Sequence, residues 1–321
     1  MEALIKHLSD GEFHAGDELG ALLGVSRAAV WKQIQKLEGV GLDVQSVKGK
    51  GYRLSQPIEL LNEELIRQQL DPTARRLLIS LHTLFQTTST NDVAMSSIAS
   101  GAQSGFACLA EQQTSGRGRR GRQWVSPFGS NLYLSVVWEF FNGAAALEGL
   151  SLATGVAVAE ALTDLGVVGV QLKWPNDLLL HGAKLAGILL EMTGDPSGRC
   201  QVVLGIGINH RMPPMAARQI DQAWTRVDEH CPGISRNALT AAVISRVLLM
   251  LEQFQQEGFA PFRERWQALD AFNGRSVVVK TGAADLEGIA DGVDATGGLR
   301  IQTATGLQIM KGGEVTLRLQ P

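Results

Sequence analysis

Cysteine is scarce in this chain: there are three in 321 residues, Cys108, Cys200 and Cys231, far apart and without a CxxC pair. That excludes a disulfide framework and a cysteine zinc site, and it fits a reducing compartment, so a cytoplasmic location is expected. An excess of positive charge is also missing, since 29 Lys and Arg stand against 32 Asp and Glu for a net charge of −3. Nucleic-acid binding through bulk charge is thereby excluded, although a local basic face is not. The N-terminus lacks the basic and apolar blocks of a signal peptide. The most apolar run, near 150–162, is too short to span a bilayer and carries Glu160. No membrane segment is expected. With 45% hydrophobic residues, the chain can still fill the cores of two or three globular domains.

From residue 1 to about 56 the apolar residues recur at helical spacing, Leu4, Ile5 and Leu8, then Leu19, Leu22 and Leu23, then Val30, Ile34 and Leu37, before the pattern changes after Gly41. Gly24 separates the second helix from the third, and Ser26 stands where an N-cap hydroxyl would satisfy an amide of the next turn. A helix-turn-helix over about 16–36 is expected. A short strand from Asp43, a KGKG turn at 48–51 and a second strand to Leu54 have the pattern of a wing over 43–54. Charge is sorted within this region. Residues 1–20 hold one Lys and five acids, whereas 27–53 hold six Lys or Arg and two acids. On the functional reading Ser26, Arg27, Trp31, Lys32 and Gln33 face a major groove, while Lys48 and Lys50 touch the DNA backbone. The alternative is a helical protein-interaction module whose cations are merely solvated.

Pro57 ends that module, and residues 58–70 read as a linking helix or the first helix of the next domain. From about 75 to 270, strand-like runs (106–110, 132–138, 171–174, 188–192, 201–208) alternate with helix-like ones (150–165, 239–256), the pattern of a mixed α/β domain of enzyme size. Beyond Arg275 the strands VVVK, LRIQT and VTLRL are cut by the turns TGAAD, DATGG and KGGE, which predicts a small β-barrel. The fold class is therefore α+β, with boundaries expected at 1–60, 61–270 and 271–321.

Several strips carry chemistry. Residues 116–122 read GRGRRGR, four guanidiniums on a backbone that glycine leaves free to approach a ligand, which suits a carboxylate or phosphate. The strip also spells GxGxxG, but Pro127 and Gly129 follow where a dinucleotide site needs a helix, so that reading is rejected. A solvated charged turn stays open. Lys173, Trp174, Pro175, Asn176 and Asp177 end a strand, and Lys184 opens KLAGILLE as if from a hairpin; two lysines at one rim suit an anionic reactant, an ordinary polar hairpin being the alternative. GIGIN at 205–209 runs an apolar strand out to one amide, which can face a base edge. Thr88, Ser89, Thr90 and Asn91 can bind a ureido or amide head, or simply cap the helix that follows.

These strips occur in one order over about 120 residues: STN, then Glu111 and Gln113, then GRGRRGRxW, KWPND, KLAGIL and GIGIN. In that order the chain resembles the biotin protein ligases, and with its winged module it is similar to their bifunctional bacterial members that also repress biotin synthesis. The resemblance covers essentially the whole chain. It departs at Thr88, where relatives often carry an acid, and at Trp31, an aromatic that cannot give bidentate base readout.

The resemblance implies a class II synthetase-like ligase domain followed by an SH3-like barrel. It also implies a two-step reaction. Biotin and MgATP form biotinyl-adenylate, which a lysine of the biotin carboxyl carrier protein then attacks; the adenylate-bound homodimer binds operator DNA. By the same similarity Ser89, Thr90, Asn91 and Gln113 hold the biotin head, and Arg117, Gly118 and Arg119 close over the adenylate. Lys184 binds the activated carboxylate and phosphate, while Lys173, Asn176, Asn209 and Trp224 lie toward the nucleotide. Lys184, Arg117 and Arg119 carry the catalytic charge, ATP and biotin are substrates with Mg²⁺, and no metal ligand is identified. The competing readings are a lipoate-type ligase, a ligand-sensing repressor with a degenerate enzyme domain, and a ligase whose winged module has no role on DNA.

Overall fold

A computed structural model describes residues 1–280, 285–311 and 316–319. The N-terminal helices are α1 (Glu2–Leu8), α2 (Gly16–Leu23) and α3 (Arg27–Gly39). They bury Leu4, Ile5, Leu8, Leu19, Val30, Ile34 and Leu37 in one cluster, as the apolar spacing requires. Gly24 ends α2 in the left-handed region, and the Ser26 hydroxyl accepts the Ala29 amide at 3.3 Å, capping α3. The wing is the antiparallel pair β1 (Val44–Val47) and β2 (Gly51–Leu54). The first residue of β2 must be glycine, because φ is +105° at Gly51 and a Cβ there would lie 1.9 Å from the His14 carbonyl oxygen. Next to it, His14 and Tyr52 exchange both backbone hydrogen bonds at 2.9 Å, which locks the wing onto the α1–α2 connection.

The segment 58–70 is helical only from Glu63 to Gln69 (α4), and the physical reason lies outside the segment. Its first residues are held extended by groups of the next domain. The Leu61 amide donates to Glu111 at 2.7 Å and the Asn62 amide to Asn237 at 2.8 Å. Arg236, fully buried, donates to the Glu59 carbonyl at 2.8 Å and forms an ion pair with Glu111 at 2.7 Å. A one-and-a-half-turn helix, α5 (Pro72–Leu77), follows.

Among the described residues the central strands form one seven-stranded sheet in the order β3-β4-β5-β9-β8-β7-β6. They are β3 (Ser80–Leu84), β4 (Phe106–Ala110), β5 (Leu132–Phe140), β6 (Val170–Lys173), β7 (Asp177–Leu180), β8 (Ala183–Gly194) and β9 (Cys200–Ile208). Only β3 and β4 pair in parallel. The period of two sorts the faces. Even-numbered residues of β5 and β9, such as Leu134, Val136, Leu204 and Ile206, join the core made with α7 (Leu150–Asp164), α10 (Arg236–Glu257) and α11 (Ala260–Leu269). Val137 and Val203 turn the other way, into a small cluster with Ala94 of α6 (Thr90–Ala99). Two single-turn helices, α8 (Pro214–Ala217) and α9 (Val227–His230), interrupt the loop after β9.

The stretches Ala144–Asp164 and Arg236–Glu257 are long and apolar enough to cross a membrane, so the first is longer than the sequence run suggests. In the fold the first is a short 3-10 turn, broken at Gly149 from α7, the second is α10, and both belong to the core, with 61% and 67% of their apolar windows buried. The C-terminal part is a five-stranded antiparallel sheet, ordered β13-β12-β11-β10-β14. Its strands are β10 (Ser276–Lys280), β11 (Asp285–Val293), β12 (Leu299–Thr303), β13 (Gly306–Met310) and β14 (Thr316–Leu319). Most of the expected TGAAD and KGGE turns lies outside the described residues. Val277, Val279, Ala290, Leu299 and Ile301 join the same core as α7 and α11, and the Trp174 indole donates to the Gly297 carbonyl at 2.9 Å. This sheet is therefore cemented to the central one.

Candidate active site

The face of the sheet that carries α6 holds a cavity of about 780 Å³. Its floor is a grid set by strand register. Tyr133 lies opposite Gly207 and Gly207 opposite Gly187; one step along, Ser135 lies opposite Gly205 and Gly205 opposite Leu189. The glycines of GIGIN are what leave the floor open. A Cβ on Gly205 would lie 2.4 Å from the Asn91 side chain, and one on Gly207 would lie 2.5 Å from the Trp124 indole.

Above that floor the STN strip is buried and bonded. Ser89 occupies the N-cap position of α6 but makes no capping hydrogen bond, so the strip is not a simple helix cap. The Gln113 carbonyl accepts the Thr90 amide at 2.9 Å, and its amide donates to Ser126 at 3.0 Å. The Ser135 hydroxyl donates to Asn91 Oδ1 at 2.6 Å and lies 2.8 Å from Thr90 Oγ1, while Asn91 Nδ2 donates to Glu191 at 2.6 Å. The Trp124 indole N–H is buried with no protein acceptor among the described residues, a donor that a bound molecule can satisfy.

The GRGRRGR strip is a tight hairpin. Gly118 N–H donates to the Arg122 carbonyl at 2.7 Å, Trp124 N–H to the Gly116 carbonyl at 2.8 Å, and Arg120 takes a positive φ of 58°. Arg117 reaches Asp92 at 2.7 Å and Glu191 at 3.4 Å. The hydrogen bond from Arg117 holds the Asp92 carboxyl below its usual range. Arg119 donates to Asn176 Oδ1 at 3.3 Å. Burial, then the charge of Arg120, lowers the Arg119 pKa from its ordinary value; the guanidinium nevertheless stays charged.

The KWPND strand and the KLAGIL strand meet as a hairpin, with Asp177 opposite Gly187 in register. Lys184 Nζ sits 2.7 Å from Asp177 and 5.6 Å from the Trp124 ring centroid. The same lysine's backbone receives the loop after β9: its amide donates to the Ala223 carbonyl at 3.0 Å, and it accepts the Thr225 amide at 2.9 Å. Asn209 reinforces that seam, its amide donating to the Thr225 carbonyl at 3.0 Å, which sets Trp224 beside Lys184.

All twelve residues singled out for biotin and nucleotide line this one cavity: Ser89, Thr90, Asn91, Gln113, Arg117, Gly118, Arg119, Lys173, Asn176, Lys184, Asn209 and Trp224. The donors of Asn209 are committed to backbone, so it acts more as a clamp than as a free amide. Ser135, Glu191, Asp92 and Trp124 join these twelve at the site without any sequence pattern that assigned them a role. The glycine pair at 205 and 207 was the available signal, because residues two apart in a strand share a face.

In the winged module, Arg27, Trp31, Lys32, Lys48 and Lys50 are exposed and Trp31 is half accessible, at 50%. Ser26 is occupied as a cap. Gln33 borders the buried stripe of Val30, Ile34 and Leu37 with its Oε1 enclosed, so the outward face of α3 is carried by Ala28, Trp31, Lys32 and Gln35.

Comparison with known proteins decides the family. Residues 84–209 match the model of the biotin/lipoate A/B protein ligase family, 1–53 an HTH domain, and 272–318 the biotin protein ligase C-terminal domain. The bifunctional ligase/repressor BirA of Escherichia coli K12 is 45% identical over 98% of this chain and 96% of its own. This chain belongs to the bifunctional biotin ligase and repressor family. A biotin–[acetyl-CoA-carboxylase] ligase of Paracoccus denitrificans is 36% identical over 72% of this chain and 98% of its own. The solved biotin protein ligase of Aquifex aeolicus, in complex with biotin and ATP, superposes with a TM-score of 0.65 at 27% identity, covering 75% of this chain and all of that one. Family members of this shorter kind match only part of the chain. The matched ligase segment contains every pocket residue above except Trp224.

Proposed function

We propose that this chain is an ATP-dependent biotin protein ligase whose winged module represses transcription. The observation that carries the reading is the convergence of six separated strips on one cavity with a buried polar floor and cations in its walls, Arg117, Arg119 and Lys184 among them. A ureido head suits the floor, because Thr90, Asn91, Gln113 and Ser135 offer donors and acceptors already fixed by one another. A carboxylate then points to the cations. In the first step a biotin carboxylate oxygen attacks the α-phosphorus of MgATP; the new C–O–P linkage forms, the bond to the β-phosphate oxygen breaks, and pyrophosphate leaves. Mg²⁺ enters with the nucleotide as part of the substrate. Lys184 and Arg119 face the charge gathering on the α-phosphate, the kind of preorganised cation that lowers such a barrier. Lys173, Asn176 and Trp224 serve the nucleotide side.

In the second step the amine of a carrier lysine attacks the acyl carbon, an amide forms, and AMP leaves with the electron pair of the broken C–O bond. The acceptor we assign is the biotin carboxyl carrier protein. To Asp177 we assign the proton released by that lysine, and an Asp177→Asn protein is expected to lose more in transfer to the carrier than in adenylate formation, where Asp177 acts only through its pair with Lys184. Closure of the 116–122 strip over the mixed anhydride excludes water.

Arg27, Trp31 and Lys32 on α3 and the wing lysines form the DNA face, with the module spanning 1–60, the ligase 61–270 and the C-terminal unit 271–321. Phe128, just beyond the arginine strip, packs in the winged-module cluster and against Phe85 at 4.8 Å. Ligand at the strip thus has a packed route to the DNA module, and the adenylate-bound homodimer is the operator-binding form.

Incubation with biotin, MgATP and labelled pyrophosphate tests the first step, and addition of a carrier domain to trapped adenylate tests the second. Biotin-dependent exchange followed by carrier labelling is the expected result; exchange with lipoate but not biotin refutes the reading. Sedimentation with and without adenylate tests the dimer.

A further inference from the structure

Outside the pocket, a cluster of metal-ligating side chains sits at the junction of α1 and α2. His7 comes from the last turn of α1, Glu18 from the first turn of α2, and His14 from the connection between them. His7 Nε2 lies 3.2 Å from Glu18 Oε1, and His14 Nδ1 lies 3.5 Å from the same oxygen. Two ligands of a tetrahedral zinc ion bound at 2.0–2.1 Å stand about 3.3 Å apart, so both separations match an edge of that polyhedron. One ligand atom from each of the three residues falls within 4.8 Å of the other two.

The remaining nitrogen of His14 completes the argument. His14 Nε2 lies 3.0 Å from Asp10 Oδ2 and 3.1 Å from Oδ1. With Asp10 on Nε2, the other ring nitrogen, Nδ1, is the one that faces Glu18, the arrangement in which an outer carboxylate orients a metal-binding imidazole. Carboxylate–histidine–metal arrangements work in this way. The scaffold is also rigid at the central ligand, since the His14 backbone exchanges two hydrogen bonds with Tyr52 of the wing.

We propose that His7, His14 and Glu18 bind a divalent transition-metal ion of the zinc class, with Asp10 as the outer carboxylate that orients His14. Three protein ligands leave the fourth position to water. The ion ties the end of α1 to the start of α2 and, through His14, to the wing. It therefore stabilises the winged module without entering the ligase pocket.

The test is titration of the full-length protein with Zn²⁺ by calorimetry, repeated with Co²⁺ while the visible ligand-field bands are followed. Expected are one tight site per chain, Co²⁺ bands of a four-coordinate N/O site, and a rise in Tm with zinc. His7→Leu is expected to abolish that site, and Asp10→Asn to weaken it by roughly 10–100-fold, as loss of an outer partner does. Both variants are expected to keep wild-type biotin-dependent pyrophosphate exchange, and an unchanged helical circular-dichroism signal reports that the winged module folds. Isotherms for His7→Leu or Asp10→Asn that coincide with wild type, or a wild-type protein that binds no zinc, overturn the proposal. So does a His14 ring that stays an imidazolium between its two carboxylates when zinc is added, read from its ¹⁵N shifts.

Discussion

Two ion pairs of equal length bound the pocket and stand in different surroundings. Lys184 and Asp177 are 2.7 Å apart with both side chains 16% exposed; Arg117 and Asp92 are also 2.7 Å apart, but at 37% and 42%. Distance alone would rank them together. Burial separates them, because a charge withdrawn from water keeps its field while an exposed one is screened by solvent and salt. The first pair is built into a strand hairpin whose lysine backbone also anchors the loop carrying Trp224. The second joins the arginine strip to the first turn of α6, and it can be exchanged for a ligand anion at small cost. The wall is therefore preorganised and the strip replaceable.

The largest effect should come from the wall. Lys184→Gln removes the cation we assign to the α-phosphate and leaves Asp177 without its partner, so biotin-dependent pyrophosphate exchange should fall by roughly 10²–10³-fold, the scale of losing one preorganised stabilising group. Biotin binding measured alone should change much less. If exchange and binding fall together, Lys184 is holding ground-state biotin and the comparison with Arg117 collapses.

Next in size is the floor. In Gly207→Ala the new methyl would lie 2.5 Å from the Trp124 indole. Overpacking of this kind costs about 1–3 kcal/mol. Because the collision lies in the pocket, the loss should appear as a weakening of biotin binding by about 5- to 150-fold in calorimetry. An unchanged affinity would mean that Trp124 moves off the floor at no cost. Ser135→Ala is the milder test: it removes the hydroxyl shared by Asn91 and Thr90 while leaving room for water. About 1 kcal/mol, near fivefold in biotin affinity, is expected with kcat little altered.

The same contrast explains how much was legible in the sequence. The helix-turn-helix, the wing and the alternation of the central strands follow from apolar periodicity, and residues such as Val30, Ile34 and Leu37 are buried where the spacing puts them. The segment 58–70 misleads because its periodicity is helical while Glu111, Asn237 and Arg236, distant in sequence, hold its first residues extended. In the pocket, the charged and amide residues advertised themselves by type. Ser135 did not, lying inside an apolar run and becoming part of the floor only through register with Gly205. Asp92 and Glu191 carry no such mark, since no local pattern says that Arg117 will fold back on them. Gln33 shows the converse. Its type suits base readout, yet its place beside the buried stripe encloses its oxygen.

The smallest effect belongs to the exposed pair, and it decides whether the strip is replaceable. In Asp92→Asn, Arg117 loses its short contact and keeps only Glu191 at 3.4 Å. Exposed pairs contribute about 0.2–1 kcal/mol, so biotin or adenylate binding should tighten by no more than about fivefold as Arg117 is released. The gain should shrink at high salt, which weakens the wild-type contact in the same way. Its pH dependence has a definite sign. Arg117 holds the Asp92 carboxyl below its usual value, so the pair is complete above the ordinary carboxylate range and is lost only as pH falls through the lowered value. The difference between Asp92→Asn and wild type should therefore be flat from about pH 6 to 8 and vanish only in acid. Weaker binding in Asp92→Asn would show instead that Asp92 positions Arg117 for the ligand, making the exposed pair a built part of the wall.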